Sequence, residues 1–211
     1  MKMESKENLK KLYKKLKPEI KKKIKEFKEN LNKEKEDIFA ELSFCILTPQ
    51  SKAESCWQAI EILKKENLLF YGSEEEIIKK LKKVRFKRKK ARYIIQARKV
   101  FENDLKNLIK NSKDIYFLRE FLIEEIKGLG MKEASHFLRN IGRGQNIAIL
   151  DRHVLKNLKE FGIIKRIPET LTKKRYLEIE KKFIKFSETL GIKPDEFDLL
   201  LWAKETGFVF K

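Results

Sequence analysis

Apolar residues recur three and four positions apart along almost the whole chain, as in Leu9, Leu12, Tyr13 and Leu16. That spacing is one face of a 3.6-residue period, and no run with a period of two leads into a hairpin turn. The pattern predicts an all-α fold. Residues 1 to about 36 read as one or two very basic helices around Pro18, followed by a core-like helix "DIFAELSFCILT" that Pro49 ends. A second helix, "SKAESCWQAIEILKKE", starts at once. Ser73 and Glu76 stand at capping-box spacing and open a helix through Leu81. A basic turn then leads into a helix carrying Tyr93, Ile94, Ala97 and Val100 on one face and Arg and Lys on the other. Helices near 114–126 and 131–141 bracket the turn Gly128-Leu129-Gly130. After Asp151 a helix runs through Leu158, a linker carries Gly162 and Pro168, and two last helices lead to "FVFK".

Charge narrows the partner. Lys and Arg number 51 against 32 Asp and Glu, a formal net charge of +19 with a pI near 9.7. Basic residues are spread along the whole chain, so a polyanion is the natural partner. Lys and Glu enrichment also marks hyperthermophile surfaces, which would explain the charged fraction but not so large an imbalance. No apolar run approaches the ~18 residues of a membrane span and no leader pattern is present, so a cytoplasmic protein without a membrane partner is expected. The only cysteines, Cys45 and Cys56, lie in helical apolar contexts and read as buried thiols. With His136 and His153 the only histidines, neither a metal site nor an iron–sulfur cluster is expected.

The glycine turn carries the first chemistry. A helix ending near Ile126, the turn, and a new helix from Met131 or Lys132 make a helix-hairpin-helix. Its free N–H groups and helix N-terminus form an anion site, most simply for a DNA phosphate, although such a turn also serves as a plain helix C-cap. Lys132 falls in the first turn of the second helix, where the dipole and exposed N–H groups disfavour an ammonium, and a lysine without its proton is a nucleophile. Nineteen residues on, the apolar stretch Ile147 to Leu150 delivers Asp151 to a helix start, where as an N-cap alone it would be unremarkable.

"GLGMK" followed by "IAILDRHV" closely resembles the signature of the helix-hairpin-helix DNA glycosylases, the endonuclease III superfamily. In that family a lysine after the second glycine and an aspartate nineteen residues later are catalytic, which assigns those roles to Lys132 and Asp151. "LSFCILTPQSKAESCWQAIEIL" resembles the superfamily's early helix pair, whose polar turn residue enters the DNA stack where the lesion has left; that position is Gln50. "VRFKRKKARYIIQARKVF" looks like the basic turn and helix before the hairpin, with Arg85 and Lys87 as phosphate contacts, joined by Arg152, Gly128 and Gly130. The resemblance runs from about residue 38 to 160. It implies one glycosylase unit over 1–211 of two helical lobes with the active-site cleft between them. Lobe one is about 39–144, with the hairpin at 126–141, and lobe two is about 1–38 plus 145–211.

The C-terminus lacks the four cysteines of endonuclease III and ends "DEFDLLLWAKETGFVFK". That ending resembles the archaeal and thermophilic-bacterial 8-oxoguanine DNA glycosylases, the second Ogg subfamily, in which a terminal lysine helps to read the flipped base. Lys211 takes that place, and Trp202, with Asp198 one turn before it, is positioned to line the base pocket; Trp202 would equally suit a core. Lys127 stands where the family usually has proline. The resemblance implies a monomeric, cofactor-free enzyme acting on double-stranded DNA that contains 8-oxoguanine. Lys132 would attack C1′, release the base and leave a Schiff base, and β-elimination would nick the strand, with Asp151 stabilising charge on the sugar. The alternatives are a glycosylase of the superfamily for another oxidised base, or a noncatalytic helix-hairpin-helix module that needs the glycines but neither Lys132 nor Asp151. His136 and His153 suit packing or phosphate contact better than proton transfer.

Overall fold

The computed structural model describes residues 3–211, and among them every regular element is helical. The chain divides into two compact units, Met1–Glu29 with Gly142–Lys211, and Asn30–Ile141.

The Asn30–Ile141 unit is built around α2 (Lys35–Leu47), which packs against α3 (Ala53–Lys65), α6 (Lys87–Val100) and α9 (Met131–Asn140). Every α2 residue from Ile38 to Leu47 is buried, as expected for a helix apolar on all sides. Its one buried charge, Glu41, accepts from Asn140 Nδ2 at 2.9 Å, and Asn30 Nδ2 donates to the Asn140 carbonyl at 2.8 Å. Short helices α4 (Leu68–Tyr71) and α5 (Glu74–Lys80) follow α3. The expected capping box is present at α5: the Ser73 N–H donates to Glu76 Oε2 at 2.8 Å, and the Glu76 N–H to Ser73 Oγ at 3.3 Å.

Beyond Val100 the helix does not stop. A π-helical segment, Phe101–Leu105, leads into α7 (Lys106–Asn111). The wider turn keeps Phe101, Leu105 and Ile109 all inward, with the Phe101 ring 5.1 Å from that of Phe39. Then come α8 (Ile115–Glu125), capped by Asp114, and α9. Arg119 of α8 is buried and donates to Ser135 Oγ of α9 at 3.1 Å, tying together the two helices that flank the glycine turn.

The other unit contains α1 (Met3–Asn30) up to Glu29, then α10 (Arg152–Glu160), α11 (Lys173–Thr189) and α12 (Pro194–Thr206). Pro18 does not divide α1, which is one helix. The stripe Ile20, Ile24 and Phe27 is buried while Pro18 itself is exposed, so the carbonyl freed by the missing N–H lies on the wet side. At the junction of α11 and α12, Phe183 and Phe186 pack on Phe197, with ring centroids at 5.0 and 5.7 Å. Glu196, buried beneath α1, is satisfied by Lys21 at 2.7 Å and by the Tyr13 hydroxyl.

Candidate functional site

In the Asn30–Ile141 unit the glycine turn has the expected form. Gly128 holds φ +96°, where L side chains are disfavoured, and Leu129 closes the turn by donating its N–H to the Ile126 carbonyl at 3.2 Å. Gly130 is extended and caps α9, its N–H donating to Glu133 Oε2 at 3.3 Å. The two glycines therefore do different work: Gly128 supplies a conformation and Gly130 supplies an N–H. Lys132 occupies the first turn of α9, its side chain 22% exposed and its Nζ 3.8 Å from Glu133 Oε1. Behind it lies the buried thiol of Cys45, pushed far up by burial and by Glu41 and drawn back by the charge of Lys132. His136, one turn on, is buried with its ring edge against Phe44.

Gln50 sits between α2 and α3 in a turn closed by the Ser51 N–H to the Thr48 carbonyl at 3.0 Å. Pro49 takes the second position and Gln50 the third, with φ +54°, where glycine is the usual choice. Holding a glutamine there costs roughly 1–2 kcal/mol. Its side chain is exposed. Backbone strain at an exposed polar side chain is the kind that function retains. Arg85, Lys87, Arg88 and Lys89 are exposed in the neighbouring basic turn, and between them Phe86 holds φ +57° with its ring exposed beneath the Arg85 guanidinium. The helical pattern did not point to Phe86, because an apolar residue in a periodic sequence is assigned to the core. Lys90 does not share the exposure of its basic neighbours: it is 5% exposed, and burial lowers its affinity for a proton.

In the other unit Asp151 caps α10, its Oδ1 accepting from the Val154 N–H at 2.8 Å. The buried stretch Ile147–Leu150 that leads to it lies outside any regular element. Its backbone polar groups are met by α11 side chains instead: the Ala148 N–H donates to Glu180 Oε1 at 2.8 Å, the Tyr176 hydroxyl donates to the Ala148 carbonyl at 2.6 Å, and the Leu150 N–H donates to the Tyr176 hydroxyl at 3.3 Å. Sequence reasoning missed Tyr176 and Glu180, since nothing local marks a helix side chain as the partner of a distant backbone. Arg152 is exposed at the start of α10. Asp198 is buried on α12, and Trp202 one turn later is half-buried with its ring 5.5 Å from that of His153. Gly207, at φ +89°, ends α12, and Lys211 is half-buried. Among the described residues no group of three or more His, Cys, Asp or Glu is placed to hold a metal ion, and no helix is long and apolar enough to cross a membrane.

A family model described as 8-oxoguanine DNA glycosylase matches residues 20–192. The 8-oxoguanine DNA glycosylase/AP lyase of Fusobacterium nucleatum is 47% identical over 209 residues, 96% of each chain. The chain belongs to the 8-oxoguanine DNA glycosylase family. Two solved structures of 8-oxoguanine DNA glycosylases carry the same fold at 40% identity. That of Thermotoga maritima has a TM-score of 0.90 and covers 99% of either chain. That of Methanocaldococcus jannaschii, a glycosylase/lyase in complex with a 15mer DNA containing 8-oxoguanine, has a TM-score of 0.88 and covers 96% of this chain and 99% of its own. Membership of this family bears out both the all-α expectation and the resemblance read from the "GLGMK" and "IAILDRHV" segments.

Proposed function

We propose that the chain excises 8-oxoguanine from double-stranded DNA and cleaves the strand at the resulting abasic site. Lys132 is the nucleophile and Asp151 its carboxylate partner. The observation that carries this reading is the pair itself: a half-buried lysine in the first turn after the glycine hairpin and an aspartate capping the helix that starts nineteen residues on. It stands in a chain that aligns almost end to end with relatives named 8-oxoguanine DNA glycosylase/AP lyase.

The chemistry requires both residues to act on one deoxyribose. The Asp151 carboxylate offsets the positive charge that develops on the sugar as the glycosidic bond lengthens, and its fixed capping geometry leaves Oδ2 available for that task. The Lys132 amine adds to C1′ and the base departs, the sugar ring opens to give the imine, and the imine makes the 2′ proton acidic enough for the 3′ phosphate to be eliminated. Gly128 and Gly130, the N-terminus of α9 and Arg85, Lys87 and Arg152 hold phosphates, and Gln50 fills the gap left by the extruded nucleotide. Trp202, Asp198 and Lys211 form the base pocket. The protein works as a monomer on chromosomal DNA in the cytoplasm.

Borohydride trapping tests the proposal. Duplexes carrying 8-oxoguanine, thymine glycol or no lesion are incubated with the protein and reduced. A covalent adduct with 8-oxoguanine alone, absent from Lys132→Gln and strongly reduced in Asp151→Asn, is the expected result. An adduct only with thymine glycol would assign another lesion. No adduct despite salt-sensitive DNA binding would leave a noncatalytic binding module.

A further inference from the structure

We propose that Lys90 is a positioning residue for lesion extrusion: its buried ammonium latches the turn that carries Gln50 to the basic turn that carries Arg85 and Phe86. The inference rests on the assignment of Gln50 as the residue that enters the DNA stack.

The geometry is specific. Lys90 Nζ donates to the Leu47 carbonyl at 2.7 Å, to the Pro49 carbonyl at 2.6 Å and to Ser51 Oγ at 3.0 Å, using all three of its protons. Those three acceptors surround Gln50, two before it in the chain and one after it. Ser51 Oγ also accepts from the Arg85 N–H at 3.0 Å, and the Lys90 N–H donates to the Phe86 carbonyl at 3.0 Å. One lysine thus joins the last turn of α2, the Gln50 turn and the start of α6.

Each joined turn holds a non-glycine residue at positive φ, Gln50 at 54° and Phe86 at 57°, and both project exposed side chains. Left to itself, the Gln50 turn would relax towards conformations that glutamine prefers, and its side chain would lose its direction. A buried lysine with no carboxylate partner among these contacts is a costly way to hold a loop, since neutral donors would satisfy the same carbonyls without desolvating a charge. What the ammonium adds is three donors from one point, which ties three acceptors into a fixed arrangement. A side chain that is to push into a base stack must not yield when the stack resists, and this arrangement makes its base rigid.

Single-turnover base release from a duplex with 8-oxoguanine opposite cytosine, which needs extrusion, is compared with strand nicking at a preformed abasic site in single-stranded DNA, which does not. Lys90→Met is expected to slow duplex base release tenfold or more, to leave single-strand nicking within twofold, and to add little to the loss in Gln50→Ala when the two are combined. Ser51→Ala, which keeps the lysine and both carbonyls, is expected to show the same selectivity at a few-fold. Equal losses on both substrates in Lys90→Met and Ser51→Ala, or no loss on the duplex, would overturn the latch. Full duplex activity in Gln50→Ala would overturn the Gln50 assignment and the latch with it. A slow Gln50→Ala beside an unaffected Lys90→Met would sink the latch alone.

Discussion

Replacing Gly128 by alanine puts the helix-hairpin-helix under a load that the same change at Gly130 does not. At Gly128 the backbone holds φ +96°, so a Cβ is disfavoured whatever surrounds it, by roughly 1–2 kcal/mol. That Cβ would also lie 2.5 Å from Cδ2 of the Tyr93 ring and 3.0 Å from its Cε2, so the ring must move, an overpacking that adds about 1–3 kcal/mol. The expected total is about 2–5 kcal/mol, or a fall in Tm of about 4–20 °C for a chain of this size. At Gly130 the backbone is extended, and a Cβ would meet only Glu133 Oε2 at 3.3 Å, a contact that a shift of a few tenths of an ångström in that carboxylate relieves. Gly130→Ala is therefore expected to change stability by less than about 1 kcal/mol, the small loss at an N-cap being offset by a stiffer unfolded chain. Urea unfolding followed by the fluorescence of Trp57, which lies in the same unit as the hairpin, reads both variants. Repeating Gly128→Ala in a Tyr93→Ala background separates the two contributions: the penalty should shrink to the backbone part, about 1–2 kcal/mol. Equal costs at the two glycines, or a penalty unchanged by removal of the Tyr93 ring, would refute the reasoning.

Other perturbations have equally definite outcomes. Tyr176→Phe strips a buried hydroxyl that serves the Ala148 carbonyl and the Leu150 N–H; it should cost about 2–4 kcal/mol in thermal unfolding and slow base release more than it weakens DNA binding, because the segment leading to Asp151 loosens. Ser73→Ala removes half of a capping box and should cost about 1 kcal/mol without changing activity, as measured by urea midpoint and duplex nicking. Burial raises the Cys56 thiol from 9.0 to about 11, so the folded state keeps a proton that the unfolded state loses; the corresponding stability is present below pH 9 and is lost as pH rises towards 11. That loss amounts to about 3 kcal/mol, and Cys56→Ala should flatten the pH profile of unfolding by that amount.

The parts of this protein that the sequence determines by itself are those encoded within a few residues. The Asp151 cap and the positive φ of Gly128 each follow from one residue type at one position, the Ser73–Glu76 box from two residues three apart, and the structure has each of them. The Lys132–Asp151 spacing and the excess of basic charge were equally plain, since both are read along the chain without knowing what lies across from it. Tertiary packing decided the rest. Pro18 sits inside one helix because a buried stripe on the opposite face outweighs a local breaker. Lys90 stands in "KRKKAR", identical in type to neighbours that are exposed, and only acceptors 39 to 43 positions away, the Leu47 and Pro49 carbonyls and the Ser51 hydroxyl, turn it inward. Tyr176 and Glu180 look like ordinary helix residues until the unpaired backbone of Ala148 and Leu150 lies against them. Local propensity is written in neighbours, whereas the partner of a buried polar group is set by whichever distant segment the packed core brings to it.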